Sequence, residues 1–421
     1  MRRSLPAAVA ALAVLTVAVP AQAVPASDTA PSADTLATDA VRDRQYWLDE
    51  YGIRDAWSVT RGAGVTIAII DTGIARGIAD LGGAVIGGAD FSGRGSADGQ
   101  TPVGPQSQHG TLVASLAAGR GTGPTSGVIG SAPEASLLAI SVGFGATAVD
   151  PDRQIADAVI WAVDHGADVI NMSLTRNTLD WPESWDEAFL HAAAHDVVVV
   201  AAAGNRASGT VEVGAPATMP GVLTVGGVDE RGVASWDASS QGITIGVAAP
   251  SEELVGVTPA GRYVTWAGTS GATPIVAGAV ALVRAAHPDL DAANVIQRIV
   301  ATARDAGPPG ADFTYGFGYL DAYAAVTADV PVVDENPMGD LADWVRLHRR
   351  ADATPTPVET VEPVPEAAPE SGVPDPTGVL LPSLVDLQLV GAPLLAGGLG
   401  VLAVAGAVAW SLRRRGPPFT R

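Results

Sequence analysis

Short runs dense in valine, isoleucine and alanine alternate with helix-like stretches between residues 45 and 328, and this alternation narrows the fold more than any other feature. The runs lie at 65–70, 136–142, 168–174, 197–203 and 223–228. They are apolar throughout, as strands covered on both faces are. The stretches 111–118, 151–164 and 185–195 read as helices. Strands that alternate with helices make a parallel sheet between two helical layers, so the expected fold is α/β, three layers deep, with a mainly parallel sheet. Aromatic residues are only 5% of the chain while glycine alone contributes 49 residues. The layers must therefore close on small side chains. In such folds, ligands bind beyond the carboxyl ends of the strands.

Three blocks fall where that rule directs attention. The run 65–70 ends in Asp71-Thr72-Gly73, at the edge where function is expected. Gln108-His109-Gly110-Thr111 precedes a helix of small apolar residues. Gly268-Thr269-Ser270-Gly271-Ala272-Thr273-Pro274 opens a helix read as 275–284, with Pro274 in its first turn. Singly, each has an ordinary explanation: a turn aspartate, a capping histidine, a capping serine. Together they are what nucleophilic acyl transfer requires. Serine is a weak nucleophile until an imidazole takes its proton, and the imidazole needs a carboxylate to fix its tautomer and balance its charge. The oxyanion that forms needs donors. Asn205, after Ala203-Gly204 at the end of another run, offers its side-chain amide.

Asp71-Thr72-Gly73, His109-Gly110-Thr111, Ala203-Gly204-Asn205 and Gly268-Thr269-Ser270 resemble the four signature blocks of the subtilisin-like serine proteases in order, spacing and context. The resemblance covers about residues 45–328. It implies a subtilisin-like fold, Asp71 as orienting acid, His109 as general base then acid, Ser270 as nucleophile, and Asn205 with the Ser270 backbone N–H as oxyanion donors. It also implies that 168–174 is the strand edge that pairs with substrate, with Ser173, Leu174 and Thr175 lining the first specificity pocket. The block 315–322 resembles the start of the family's closing helix. Two departures stand out. Gly271 replaces the bulky residue usual after the nucleophile, and Thr175 replaces the glycine usual after Ser-Leu.

The flanks add a topology. Residues 1–23 read as a secretory signal, with Arg2 and Arg3, an apolar stretch and Ala21-Gln22-Ala23. Residues 24–44 read as a flexible or surface-wrapping extension, too short for the folding-assistant propeptide common in secreted subtilisins and expected instead to stay uncleaved and pack on the domain, which is set to begin at 45. Residues 45–328 form the peptidase domain and 329–386 an acidic, proline-rich linker. Residues 387–412 read as a transmembrane helix; the stretch 389–412 has no charge, and a bilayer needs roughly 20 apolar residues. Residues 413–421 form a basic cytoplasmic tail starting at Arg413-Arg414-Arg415. The expected topology is type I in the cytoplasmic membrane, with the peptidase domain outside. This combination is similar to the mycosins, the membrane-anchored proteases of actinobacterial type VII secretion. The resemblance implies protein or peptide substrates and the secretion machine's membrane core as partner. The rival functions are a mainly structural component of that machine and a general cell-surface subtilase.

Composition excludes several classes. A net charge of −21 argues against nucleic-acid binding. The absence of cysteine excludes thiol catalysis, cysteine–zinc sites and disulfides. His191 and His195 lie four apart on a helix, but Ala192 stands where a metalloprotease needs glutamate, so both are read as surface histidines. Asp90, Asp98 and Asp150 are scattered rather than clustered for calcium. No metal or cofactor is expected.

Overall fold

The computed structural model describes residues 38–143 and 149–349. The expected signal, the linker beyond 349, the transmembrane helix and the basic tail lie outside the described residues. Seven parallel strands form the central sheet: β1 (Thr66–Asp71), β2 (Val85–Asp90), β3 (Ser136–Ser141), β4 (Val169–Met172), β5 (Val198–Ala202), β6 (Leu223–Val228) and β7 (Ile245–Pro250). Their spatial order is β2-β3-β1-β4-β5-β6-β7. A separate antiparallel hairpin pairs β8 (Leu254–Val257) with β9 (Tyr263–Trp266).

The helices are α1 (Thr38–Asp43), α2 (Trp47–Glu50), α3 (Ile53–Ala56), α4 (His109–Ala118), α5 (Pro151–Asp164), α6 (Glu183–Ala194), α7 (Thr269–Ala286), α8 (Ala292–Ala301), α9 (Ala322–Thr327) and α10 (Leu341–His348). Strand side chains alternate between two cores, as the period of two requires. Ile67, Ile69, Leu137, Ala139, Val198 and Val200 join the core under α4, α7 and α8. Ala68, Ile70, Leu138, Ile140, Val199 and Ala201 join the core under α5 and α6. This is the three-layer arrangement expected from the alternation.

The order of the strands places the site. From β1 the chain moves to β2 and β3 on one side and later returns to β4 on the other. The carboxyl end of β1 is therefore the switch point, where a crevice opens above the sheet. Asp71 is the last residue of β1. The neighbours β4 and β5 end at Met172 and Ala202, just before Ser173 and Gly204-Asn205.

Three expectations need correction. The packed domain begins at α1 rather than at 45. Val41 is fully buried, Arg42 donates to the carbonyls of Gly127 and Ser126, and the Gln45 amide pairs with the backbone of Ile129 in both directions. The domain also runs past 328. Asp340 caps α10, Trp344 packs on Trp181 at 4.4 Å between ring centroids, and Arg349 binds Asp186 at 2.8 Å. Finally, the helix after Gly268 starts at Thr269, so Pro274 lies inside it rather than in its first turn. Among the described residues α7 alone is long and apolar enough to cross a membrane, and it is the core helix under the sheet.

Candidate active site

The Asp-Thr-Gly and His-Gly-Thr blocks interlock, which explains why they travel together. The Asp71 side chain is 2% exposed. Its Oδ1 accepts the Thr72 N–H at 2.7 Å. Thr72 Oγ1 accepts the N–H of Gly110, and Thr111 Oγ1 accepts the N–H of Ala75. A Cβ on Gly110 would stand 2.4 Å from the Gly73 carbonyl oxygen, so only glycine lets α4 start this close to the end of β1. His109, the first residue of α4, is thereby held over the carboxylate. Its Nδ1 lies 2.9 Å from Asp71 Oδ1 and 2.8 Å from Oδ2. A carboxylate only accepts, so Nδ1 carries a proton, and in the neutral imidazole Nε2 keeps its lone pair.

Burial is the largest influence on His109 and would lower its pKa. The charge of Asp71 and the hydrogen bond to it outweigh burial, and the imidazole is held above its ordinary value. The indole of Trp266 packs edge-on to the imidazole, with ring centroids 5.9 Å apart.

The start of α7 is built around Asn205. Asn205 Oδ1 accepts the Thr269 N–H at 2.8 Å, and the Thr269 hydroxyl lies 2.9 Å from the same oxygen. That pins the carbonyl end of the amide. The Nδ2 end has no acceptor among the described residues. Gly268 has φ of +138°, and a Cβ there would stand 3.0 Å from Asn205 Nδ2. Glycine is required by the conformation and by the amide beside it. The Ser270 backbone N–H, in the first turn of α7, also lacks an acceptor among the described residues. The Ser270 hydroxyl donates to the Ser173 carbonyl at 3.2 Å, and the Ser173 hydroxyl donates to the Ser270 carbonyl at 2.8 Å.

One cavity of about 180 Å³ collects every site residue singled out from sequence: Asp71, His109, Ser270, Asn205, Ser173, Leu174 and Thr175. Thr175 departs from the glycine expected there, and its neighbours show how it fits. Its Oγ1 donates to the Arg176 carbonyl. Gly214 lies against both, where a Cβ would be 2.6 Å from that hydroxyl. The Gly271 departure also has a steric reason. A Cβ there would stand 2.3 Å from Leu254 Cδ1 and 3.3 Å from the Trp266 ring. The β8–β9 hairpin fills the space that a bulky residue would take.

Sequence reasoning missed Trp266, which touches His109 and faces Gly271. No local pattern marks it, because its role arises from a hairpin seated beside α4. It also missed Thr269 as the clamp on Asn205. The other candidates lie away from the cavity. His191 Nε2 bonds Asp164 at 2.8 Å, and its ring sits 4.2 Å from that of His195. Asp90 is bound by Ser92, Ser141 and Gly95, while Asp98 is bound by Ser96, Gln100 and Arg76. Among the described residues no group of three or more His, Asp or Glu side chains is placed to hold a metal.

Comparison with known proteins agrees with this geometry. Residues 62–318 match the subtilase family, Peptidase S8. Mycosin-1 of Mycobacterium tuberculosis is 36% identical over 342 residues, covering 68% of this chain and 74% of that protein. Subtilisin DY of Bacillus licheniformis is 37% identical over 270 residues, covering 63% of this chain and 92% of that protein. The crystal structure of MycP1 from the ESX-1 type VII secretion system superposes with a TM-score of 0.60 at 30% identity, over 70% of this chain and 88% of that one. The chain belongs to the subtilase family and is a subtilisin-like serine protease related to the mycosins.

Proposed function

We propose that the chain is a serine endopeptidase anchored in the cytoplasmic membrane, with its peptidase domain outside, that cleaves exported proteins beside a type VII secretion system. The observation that carries the chemistry is the shared cavity. A histidine tautomerically fixed by a buried aspartate, a serine at a helix start and two unengaged N–H donors face one space. In the resting arrangement the Ser270 hydroxyl is turned onto Ser173. Rotation of its side chain toward His109 Nε2 prepares it for attack, a tightening usual when substrate enters. Ser270 Oγ then bonds the scissile carbonyl carbon as its proton passes to Nε2. Asn205 Nδ2 and the Ser270 N–H receive the oxyanion. Collapse breaks the C–N bond, and His109 returns the proton to the leaving amine. Water repeats the sequence on the acyl-enzyme.

The location and partner rest on the signal and apolar span read from sequence, and on the similar MycP1 structures, described as coming from the ESX-1 type VII secretion system and as an essential component of it. Labelling of the full-length chain with a fluorophosphonate, read by intact mass, tests the chemistry. One adduct is expected, absent from Ser270→Ala. A folded chain that takes no adduct would overturn the enzymatic reading in favour of a structural component. For Asn205→Ala, loss of one oxyanion donor should lower kcat by about 10²–10³ with KM little changed. An unchanged kcat would move the oxyanion role to another group.

A further inference from the structure

The first turn of α7 has a defect that this chain repairs from outside the helix. Pro274 has no N–H, so the carbonyl four residues earlier, that of Ser270, loses the α-helical hydrogen bond that residue 274 would have donated. Gly271 follows the serine and adds backbone freedom at the same peptide unit. A loose carbonyl there would let the whole Ser270–Gly271 peptide tilt, and with it the Ser270 side chain and N–H. Two contacts hold the unit. The Gly271 N–H donates to the Gly268 carbonyl at 2.9 Å, and the Ser173 hydroxyl donates to the Ser270 carbonyl at 2.8 Å.

Ser173 is itself fixed. It is 3% exposed, and its Oγ accepts from Nδ2 of the fully buried Asn171 at 3.0 Å. A line of donors thus runs from the end of β4 into the turn that carries the nucleophile: Asn171 to Ser173 to the Ser270 carbonyl.

We propose that the Ser173 hydroxyl is a positioning group for Ser270, replacing the helical hydrogen bond that Pro274 removes, in addition to any contact that residue 173 makes with substrate. This rests on Ser270 being the nucleophile. The bond matters in this chain because Gly271 supplies no side chain to stiffen the unit.

A double-mutant cycle tests it, reading the second-order rate of fluorophosphonate labelling of the full-length chain. Ser173→Ala keeps the backbone carbonyl that accepts the Ser270 hydroxyl and removes the donor to the Ser270 carbonyl, together with the acceptor of Asn171 Nδ2. It should slow labelling about tenfold, the size of one hydrogen bond. Pro274→Ala restores an N–H to the Ser270 carbonyl. In that background Ser173→Ala should cost less than about threefold. An equal loss in both backgrounds would overturn the proposal, as would no loss from Ser173→Ala in the otherwise wild-type chain. If Ser173→Ala does not fold, Ser173→Cys, of similar size and with a weak donor, takes its place in the cycle. Failure of the wild-type chain to label would instead refute Ser270 as nucleophile, so the two readings fail in different proteins.

Discussion

Ser270→Ala is expected to lose about 10⁶ in kcat while binding peptide substrates with little change. The loss is total for covalent chemistry through this residue, because alanine has no oxygen with which to form the acyl-enzyme. A small residue of activity above water should remain, since Asn205 and the bound substrate geometry survive the substitution. The fold should survive too. The hydroxyl contributes a single hydrogen bond to a carbonyl at 3.2 Å, so stability should change by under about 1 kcal/mol. Steady-state kinetics on protein free of other proteases, with a thermal melt beside it, decide the matter. Turnover within a hundredfold of wild type would remove Ser270 from the mechanism.

Asp71→Asn should cost about 10⁴ in kcat, and its pH signature is more informative than its size. An asparagine at this position can donate to Nδ1 and so drive the proton to Nε2, the atom that must stay bare to accept from serine. In the wild-type chain His109 is held above the ordinary imidazole value of about 6.5. The limb of kcat/KM that rises with pH should therefore have its midpoint above that value, since only neutral His109 acts as base. Removing the carboxylate leaves burial acting alone, and the midpoint should fall. The same linkage acts on stability. A base whose pKa is raised on folding stabilises the fold below its unfolded pKa, and that contribution is lost as pH rises through the folded value. Asp71→Asn should accordingly destabilise the chain more at pH 5 than at pH 9. A pH–rate limb that stays in place in the variant would show that Asp71 does not set the charge of His109.

How much of this was legible in the sequence depended on what each residue meets. β1 and β3 to β6 were readable to within two residues at either end, because strands covered on both faces are apolar at every position. The four blocks that meet at the cavity were readable because each proposed chemical role permits few residue types. β2 was not. Its Val-Ile-Gly-Gly-Ala-Asp breaks the apolar run at Gly87 and Gly88. A Cβ on Gly88 would stand 2.1 Å from the Ala139 carbonyl oxygen, so the glycine that allows the strand to pair is the one that hides it. α10 was absorbed into a proline-rich stretch, since its cap and its two turns are short and its tryptophan finds a partner 163 residues away only in three dimensions. The substitution at Gly271 was visible, but its cause was not, because Leu254 and Trp266 arrive from a hairpin with no strong local signal.

The joints of the active site are widely spaced along the chain. Asp71 meets His109 across 38 residues, Asn205 meets Thr269 across 64, and Ser173 meets Ser270 across 97. Loops of that length close late, since their entropy must be spent before the contacts repay it. A chain stalled before α7 docks would have an acid and a base with nothing to activate. Hydrolysis can begin only once α7 has docked against the sheet and brought Ser270 to the acid and base placed there. Until then partly folded copies are unable to cut themselves or one another, so the fold itself acts as a clock for its own activation.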